Sequence, residues 1–157
     1  MAPLLHALQN SAFAGWVVGS ESIWAYPMIL TMHTVGLGIV VGAAVVLDLR
    51  LLGVGPGIPI EEVKRVFPVF WLGFFINLIS GVMLFVSEAE DKGTQPVFLL
   101  KLTLVALGVI VTGRIRRVLF RRGGTAVPAP NPRALAMSSL VIWAGAVVAG
   151  RLMAYLK

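Results

Sequence analysis

A chain of 157 residues, 58% of them hydrophobic and only 13% charged, has the length of one domain and too little polar surface for a soluble globular protein. Its formal charge of +6 comes largely from arginines gathered between Arg114 and Arg133, a local cluster unlike the broad basic surface that nucleic-acid binding uses. Cysteine is absent, which excludes disulfides, thiolate metal sites and cysteine nucleophiles.

The amino terminus, Met1-Ala-Pro-Leu-Leu-His6, lacks the positive region of a secretory signal, so the first hydrophobic span is expected to stay in the mature protein. Residues 4–18 are apolar but carry His6, Gln9, Asn10 and Ser11, and they fall short of the roughly 20 residues that cross a bilayer. This predicts an interfacial helix. A first span is predicted over residues 24–52, apolar except for His33, Asp48 and Arg50, and ended by Gly53-Val-Gly-Pro-Gly57. The polar linker Glu61-Glu-Val-Lys-Arg65 leads to a second span over 67–88, with Pro68 in its first turn, where a missing N–H costs little. A third span covers 96–119. Residues 121–132 read as a proline- and glycine-rich loop, followed by a fourth span over 134–156. The predicted fold is all-α, one integral membrane four-helix bundle preceded by a short interfacial helix.

Orientation follows from Lys and Arg, which short loops retain on the cytoplasmic side. Arg114, Arg116, Arg117, Arg121, Arg122 and Arg133 flank the connection between spans three and four, and Arg50, Lys64 and Arg65 flank that between spans one and two. The remaining connection sets Glu88, Glu90 and Asp91 against Lys92, and the amino-terminal segment has no Lys or Arg. Both termini are therefore expected outside. The arginine cluster is read as a topology signal with attraction to anionic lipid.

Ionisable groups within a span are costly enough that each needs a partner or a purpose. His33 lies about nine residues past Trp24, or roughly 13 Å into the membrane; Lys101, Arg151 and the rim residue Glu88 fall in the same outer half. Residues spaced near 3.6 share a helix face. By that rule Tyr26, His33, Gly36, Leu37, Val40 and Ala44 form one stripe, Gly73, Asn77, Gly81 and Glu88 a second, Lys101, Gly108 and Thr112 a third, and Met137, Ala144, Arg151 and Tyr155 a fourth. These faces are expected to point at each other, since small residues permit close packing and polar groups need protein partners.

Two readings of the outer cluster stand side by side. In one, Glu88 pairs with Arg151 or Lys101 in an ion network that fixes helix registry. In the other, His33 binds a metal or haem iron while Lys101 and Arg151 neutralise carboxylates such as the two haem propionates, with Gly36 leaving space for the macrocycle. His6 is then the one other histidine for the second axial position, because Met28 and Met32 share the helix of His33. Gly38 and Gly42 form a GxxxG pair on the face opposite His33, suited to a second helix, a second protomer or ordinary packing within the bundle. Asp48 and Arg50 read as interfacial charges at the inner end of span one. No serine is accompanied by a placed histidine and acid, and no glycine-rich loop precedes a lysine, so hydrolase and phosphate-cradling chemistry is excluded.

The runs Ser22-Ile-Trp-Ala-Tyr-Pro-Met-Ile-Leu-Thr-Met-His-Thr-Val-Gly-Leu-Gly38, Val46-Leu-Asp-Leu-Arg-Leu-Leu-Gly53 and Leu84-Phe-Val-Ser-Glu-Ala89 resemble an uncharacterised family of small bacterial four-span membrane proteins. The likeness extends to Pro96-Val-Phe-Leu-Leu-Lys101 and Gly150-Arg151. It implies a multi-pass protein of the bacterial inner membrane. More distantly, a histidine early in a span followed by small residues is similar to copper-resistance D-like, HemJ-like and cytochrome b561-like haem-binding bundles. That likeness implies b-type haem, or copper, at His33, with a role in electron transfer or as an accessory respiratory subunit. The alternative is a non-catalytic membrane protein, a partner-binding subunit or a carrier of a small ligand or copper, with a purely structural polar cluster.

Overall fold

The computed structural model describes residues 2–120, 131–153 and 155. Among them the chain is helical throughout: α1 (Ala2–Gln9), α2 (Ala12–Gly19), α3 (Tyr26–Leu51), α4 (Ile60–Lys64), α5 (Val66–Ser87), α6 (Ala89–Gly93), α7 (Pro96–Leu119) and α8 (Pro132–Leu152). Arg121, Arg122 and most of the expected proline-rich loop lie outside the described residues. Four helices, α3, α5, α7 and α8, are long and apolar enough to cross a membrane. Even the shortest, α8 with 21 residues, extends about 31 Å at 1.5 Å per residue, which matches a hydrocarbon core of about 30 Å.

Prolines punctuate the starts of these helices. Pro27, Pro96 and Pro132 occupy the first turns of α3, α7 and α8, where no intrahelical donor is lost. At the other end of α3, Gly53 and Gly55 adopt φ of +93° and +68°, conformations that stop a helix and that other residues resist. Arg50 Nη1 donates to the Gly55 carbonyl at 2.8 Å and ties this turn to the helix end.

The expected single interfacial helix is instead a pair, α1 and α2. Asn10 and Ser11 break it, because the Ser11 hydroxyl accepts from the Ala14 N–H at 3.2 Å and starts a new helix. The pair is fixed across the end of the bundle: Gln9 Oε1 accepts from the Glu90 N–H at 2.7 Å, and Ala14 and Val17 are buried. Likewise the polar linker before the second span is not a plain loop but α4, whose Lys64 pairs with Glu61 at 2.6 Å.

α3 is central. It packs along α5 on one side and α8 on the other, α8 packs on α7, and α3 also reaches α7. Two buried layers join them. Val40, Ala43, Ala44, Phe70, Trp143 and Ala146 form one, with Phe70 and Trp143 edge to face at 5.9 Å; Leu47, Val63, Phe67, Val111, Ile115 and Leu135 form the other. Outside, Leu72, Phe75, Ile79, Leu99, Ile110, Val141 and Val148 present a wide apolar surface of the kind lipid covers.

The α3–α5 contact is unusually close. A Cβ added to Gly36 would lie 2.8 Å from the Asn77 backbone nitrogen, and one added to Gly73 would lie 2.6 Å from Ile39 Cγ2. Gly36 is therefore filled by the neighbouring helix and leaves no space for a macrocycle, contrary to expectation. Gly38 and Gly42 behave oppositely: nothing lies within 4 Å of a Cβ at either, so they face outward and take no part in bundle packing.

The helices alternate in direction, so charge separates by end. Arg50, Lys64, Arg65, Arg114, Arg116, Arg117 and Arg133 gather at a cationic end; Glu88, Glu90, Asp91, α1, α2 and α6 gather at the opposite, acidic end.

Candidate functional site

At the acidic end a cavity of about 400 Å³ opens among α3, α5, α6, α7 and the end of α8. α3 contributes Tyr26, Leu30 and His33, and α5 contributes Gly81, Leu84 and Phe85 with Glu88 just beyond it. Lys92 of α6, Phe98 and Lys101 of α7, and Gly150 and Met153 close the remaining sides. Phe85 and Phe98 stack face to face, their centroids 5.0 Å apart, and make an aromatic wall.

His33 is held by a reciprocal clasp between helices. Its Nδ1 lies 3.0 Å from the Asn77 main-chain carbonyl, while Asn77 Nδ2 donates back to the His33 carbonyl at 2.7 Å. A carbonyl only accepts, so Nδ1 is assigned the proton and Nε2 carries the lone pair. The buried Ser80 hydroxyl sits 3.2 Å from Nδ1 and donates to the Ile76 carbonyl at 2.6 Å. Gly81 makes room for the ring, since a Cβ there would lie 3.0 Å from His33 Cε1. The close α3–α5 approach at Gly36 is what brings these backbones within side-chain reach.

Lys101 Nζ is 3.4 Å from His33 Nε2, an ammonium facing a lone pair. Its stem runs over Gly150, where a Cβ would stand 3.5 Å from Lys101 Cε. Among the described residues no carboxylate is within ion-pair distance of this ammonium. Glu88 instead meets Lys92, at 3.7 Å, and Lys92 also donates to the Met153 carbonyl at 3.3 Å. That pair is partly exposed and contributes little, at most about 1 kcal/mol.

Of the residues singled out from sequence, Tyr26, His33, Gly81, Glu88 and Lys101 line this one cavity. The others lie elsewhere. Arg151 is exposed, with its guanidinium 5.8 Å over the ring of Tyr155, itself exposed. The proposed Glu88–Arg151 and Glu88–Lys101 ion pairs do not form among the described residues. A long side chain at a helix end reaches the surface at small cost, so Arg151 needs no partner inside. His6 is exposed on α1 beside Asn10, whose Nδ2 donates to the His6 carbonyl at 3.0 Å, and it is not part of the lining around His33. No group of three or more His, Asp or Glu side chains positioned to hold a metal occurs among the described residues.

Sequence reasoning passed over Ser80 and Met153, and took Asn77 as a stripe member without a role. The signal for Asn77 was available: an amide four residues from both Gly73 and Gly81, on the same helix face. No protein-family model, curated protein or solved structure matches the chain. The chain is thus defined by its architecture, an all-α bundle with four membrane-crossing helices and a cavity at its acidic end.

Proposed function

We propose that the chain is a multi-pass protein of the bacterial inner membrane that binds an acid-bearing apolar small molecule in the cavity around His33. The observation that carries this reading is the Lys101 ammonium, partnered among the described residues by an imidazole lone pair and by no carboxylate, at the head of an aromatic-walled cavity. A buried cation retained without an anion suits a ligand that brings one. Protein purified in mild detergent and analysed by native mass spectrometry should carry a co-purifying organic acid. Wild-type protein free of any small acid, and unaltered in melting midpoint by added acidic amphiphiles, would sink the reading.

A second reading, b-type haem, has its own support. His33 donates its Nδ1–H to a carbonyl and turns Nε2 to the cavity, the hydrogen bonding that commonly orients ligating histidines, and Met153, whose side chain is another haem ligand type, belongs to the same lining. Binding iron requires Lys101 to leave Nε2 for a propionate, which its flexible stem allows. Haem would supply one-electron chemistry, fitting electron transfer or an accessory respiratory role. Copper held by the same nitrogen and thioether is the variant of this reading. An absorption spectrum separates the cases: a Soret band that changes on reduction marks haem, and colourless protein from haem-replete cells removes it.

Orientation belongs to the same proposal. The arginine-rich end is assigned to the cytoplasm and the cavity to the outer side, on the distribution of Lys and Arg. A reporter active only outside the cytoplasm should give signal when fused after position 157 and none when inserted between positions 123 and 130. The reverse pattern would place the cavity on the cytoplasmic side. On the outward face of α3, the open surface at Gly38 and Gly42 suits close approach by a second copy or another membrane subunit.

A further inference from the structure

Asp48 plays no part in the cavity and is more deeply buried than any other carboxylate described. It sits on α3 one turn before the cationic end, with 0% of its surface exposed, and neither oxygen has a hydrogen-bond partner among the described residues. On the neighbouring helices Thr112 Oγ1 of α7, and Ser139 Oγ and Trp143 Nε1 of α8, share that condition. They converge. Trp143 covers Gly108, and α7 and α8 run antiparallel, so Thr112, one turn beyond Gly108, is level with Ser139, one turn before Trp143. The Ser139 hydroxyl stands beside Asp48.

Among the described residues no cation neutralises this carboxylate. On α3 itself, Arg50 is turned to the Gly55 carbonyl. On α7, Arg114, Arg116 and Arg117 are exposed, with Arg116 over the Phe67 ring. Arg133 of α8 is exposed, and before α5 Lys64 and Arg65 pair with Glu61 and Glu62. A lone carboxylate in a low-dielectric interior persists only with a positive charge beside it.

We propose that Asp48, Thr112 and Ser139 form a binding site for one monovalent cation, a proton or an alkali ion. The donor set is hard oxygen, which suits either. A single carboxylate balances one charge, so a divalent ion would leave an uncompensated charge in the core. This site rests on helices α3, α7 and α8 below the Trp143 layer and is independent of the cavity around His33.

The test is thermal unfolding of the purified wild-type protein and of Asp48→Asn, which keeps the shape of a neutralised carboxyl. Both are measured across pH in choline chloride, and at fixed pH and ionic strength with sodium or potassium replacing choline. An alkali ion at about tenfold its Kd should raise the wild-type midpoint by about 3–6 °C and leave Asp48→Asn unmoved. A proton gives no alkali effect; the wild-type midpoint then falls as pH rises, Asp48→Asn loses that slope, and infrared spectra of wild type alone show a protonated carboxyl band that shifts in D2O. Ser139→Ala, which leaves the carboxylate in place but removes a hydroxyl oxygen, should need a several-fold higher alkali-ion concentration for the same response. Identical pH and salt responses in wild type, Asp48→Asn and Ser139→Ala would overturn the proposal.

Discussion

Adding one methyl group at Gly36 is expected to force α3 away from α5 and to destabilise the bundle by about 2–3 kcal/mol, the scale of overpacking a rigid contact. The new Cβ would meet the Asn77 nitrogen at 2.8 Å and the Gly73 carbonyl oxygen at 3.1 Å. Both are backbone atoms, so no rotamer change relieves the clash. Alanine's better helix propensity, worth up to about 1 kcal/mol, offsets only part of the cost. Gly38→Ala is the control, because its Cβ meets nothing within 4 Å. It should be neutral or slightly stabilising in a detergent melt. Equal melting midpoints for Gly36→Ala and Gly38→Ala would show that the close α3–α5 approach is not what holds the bundle together. The effect should extend to the cavity, since widening this contact also pulls His33 from Asn77.

Much of the architecture was legible because membrane spans announce themselves by length and apolarity, and because proline and glycine mark their limits. The third span, expected at 96–119, coincides with α7, and the second, expected at 67–88, differs from α5 by one residue at each end. Face assignment was legible wherever small residues did the packing. Gly36 and Val40 on α3, Gly73 and Gly81 on α5, and Gly108 on α7 all meet neighbouring helices. On α8 the same reasoning chose the wrong side, because Arg151 was taken to point inward and Met137, Ala144 and Tyr155 were aligned with it. The buried side is Ala136, Ser139, Trp143, Ala146 and Ala149, roughly half a turn away. A bulky tryptophan over a glycine on another helix is a tertiary match that periodicity within one helix does not contain. Asp48 was misread for a related reason: distance from the helix end suggested an interfacial charge, while its burial depends on how α7 and α8 close over it.

On the proposed function the His33 cluster has a structural half and a ligand-binding half, and paired substitutions should divide them. His33→Ala removes the partner of the Asn77 carbonyl and leaves the Asn77 amide to compete for what remains of the clasp; a stability loss of about 1–3 kcal/mol is expected. Asn77→Ala should cost a similar amount, and the double variant about the sum, because each substitution removes a different hydrogen bond of the clasp and leaves the other residue's main-chain carbonyl in place. Lys101→Met keeps an unbranched stem over Gly150 but deletes the ammonium. Since that charge is half-buried with only a neutral partner, its removal should leave the melting midpoint unchanged or raise it. Ligand retention should respond in the opposite sense. Losing one charge-assisted contact of about 1.5–3 kcal/mol weakens binding by about 10-fold to 100-fold. Arg151→Ala, which alters an exposed side chain over Tyr155, should change neither property appreciably. Were the cluster only a device for helix registry, Lys101→Met would be silent toward every bound species and His33→Ala would act on stability alone. Measuring melts and retained ligand on the same preparations decides between the two, because a purely structural cluster has no way to make a more stable variant bind less.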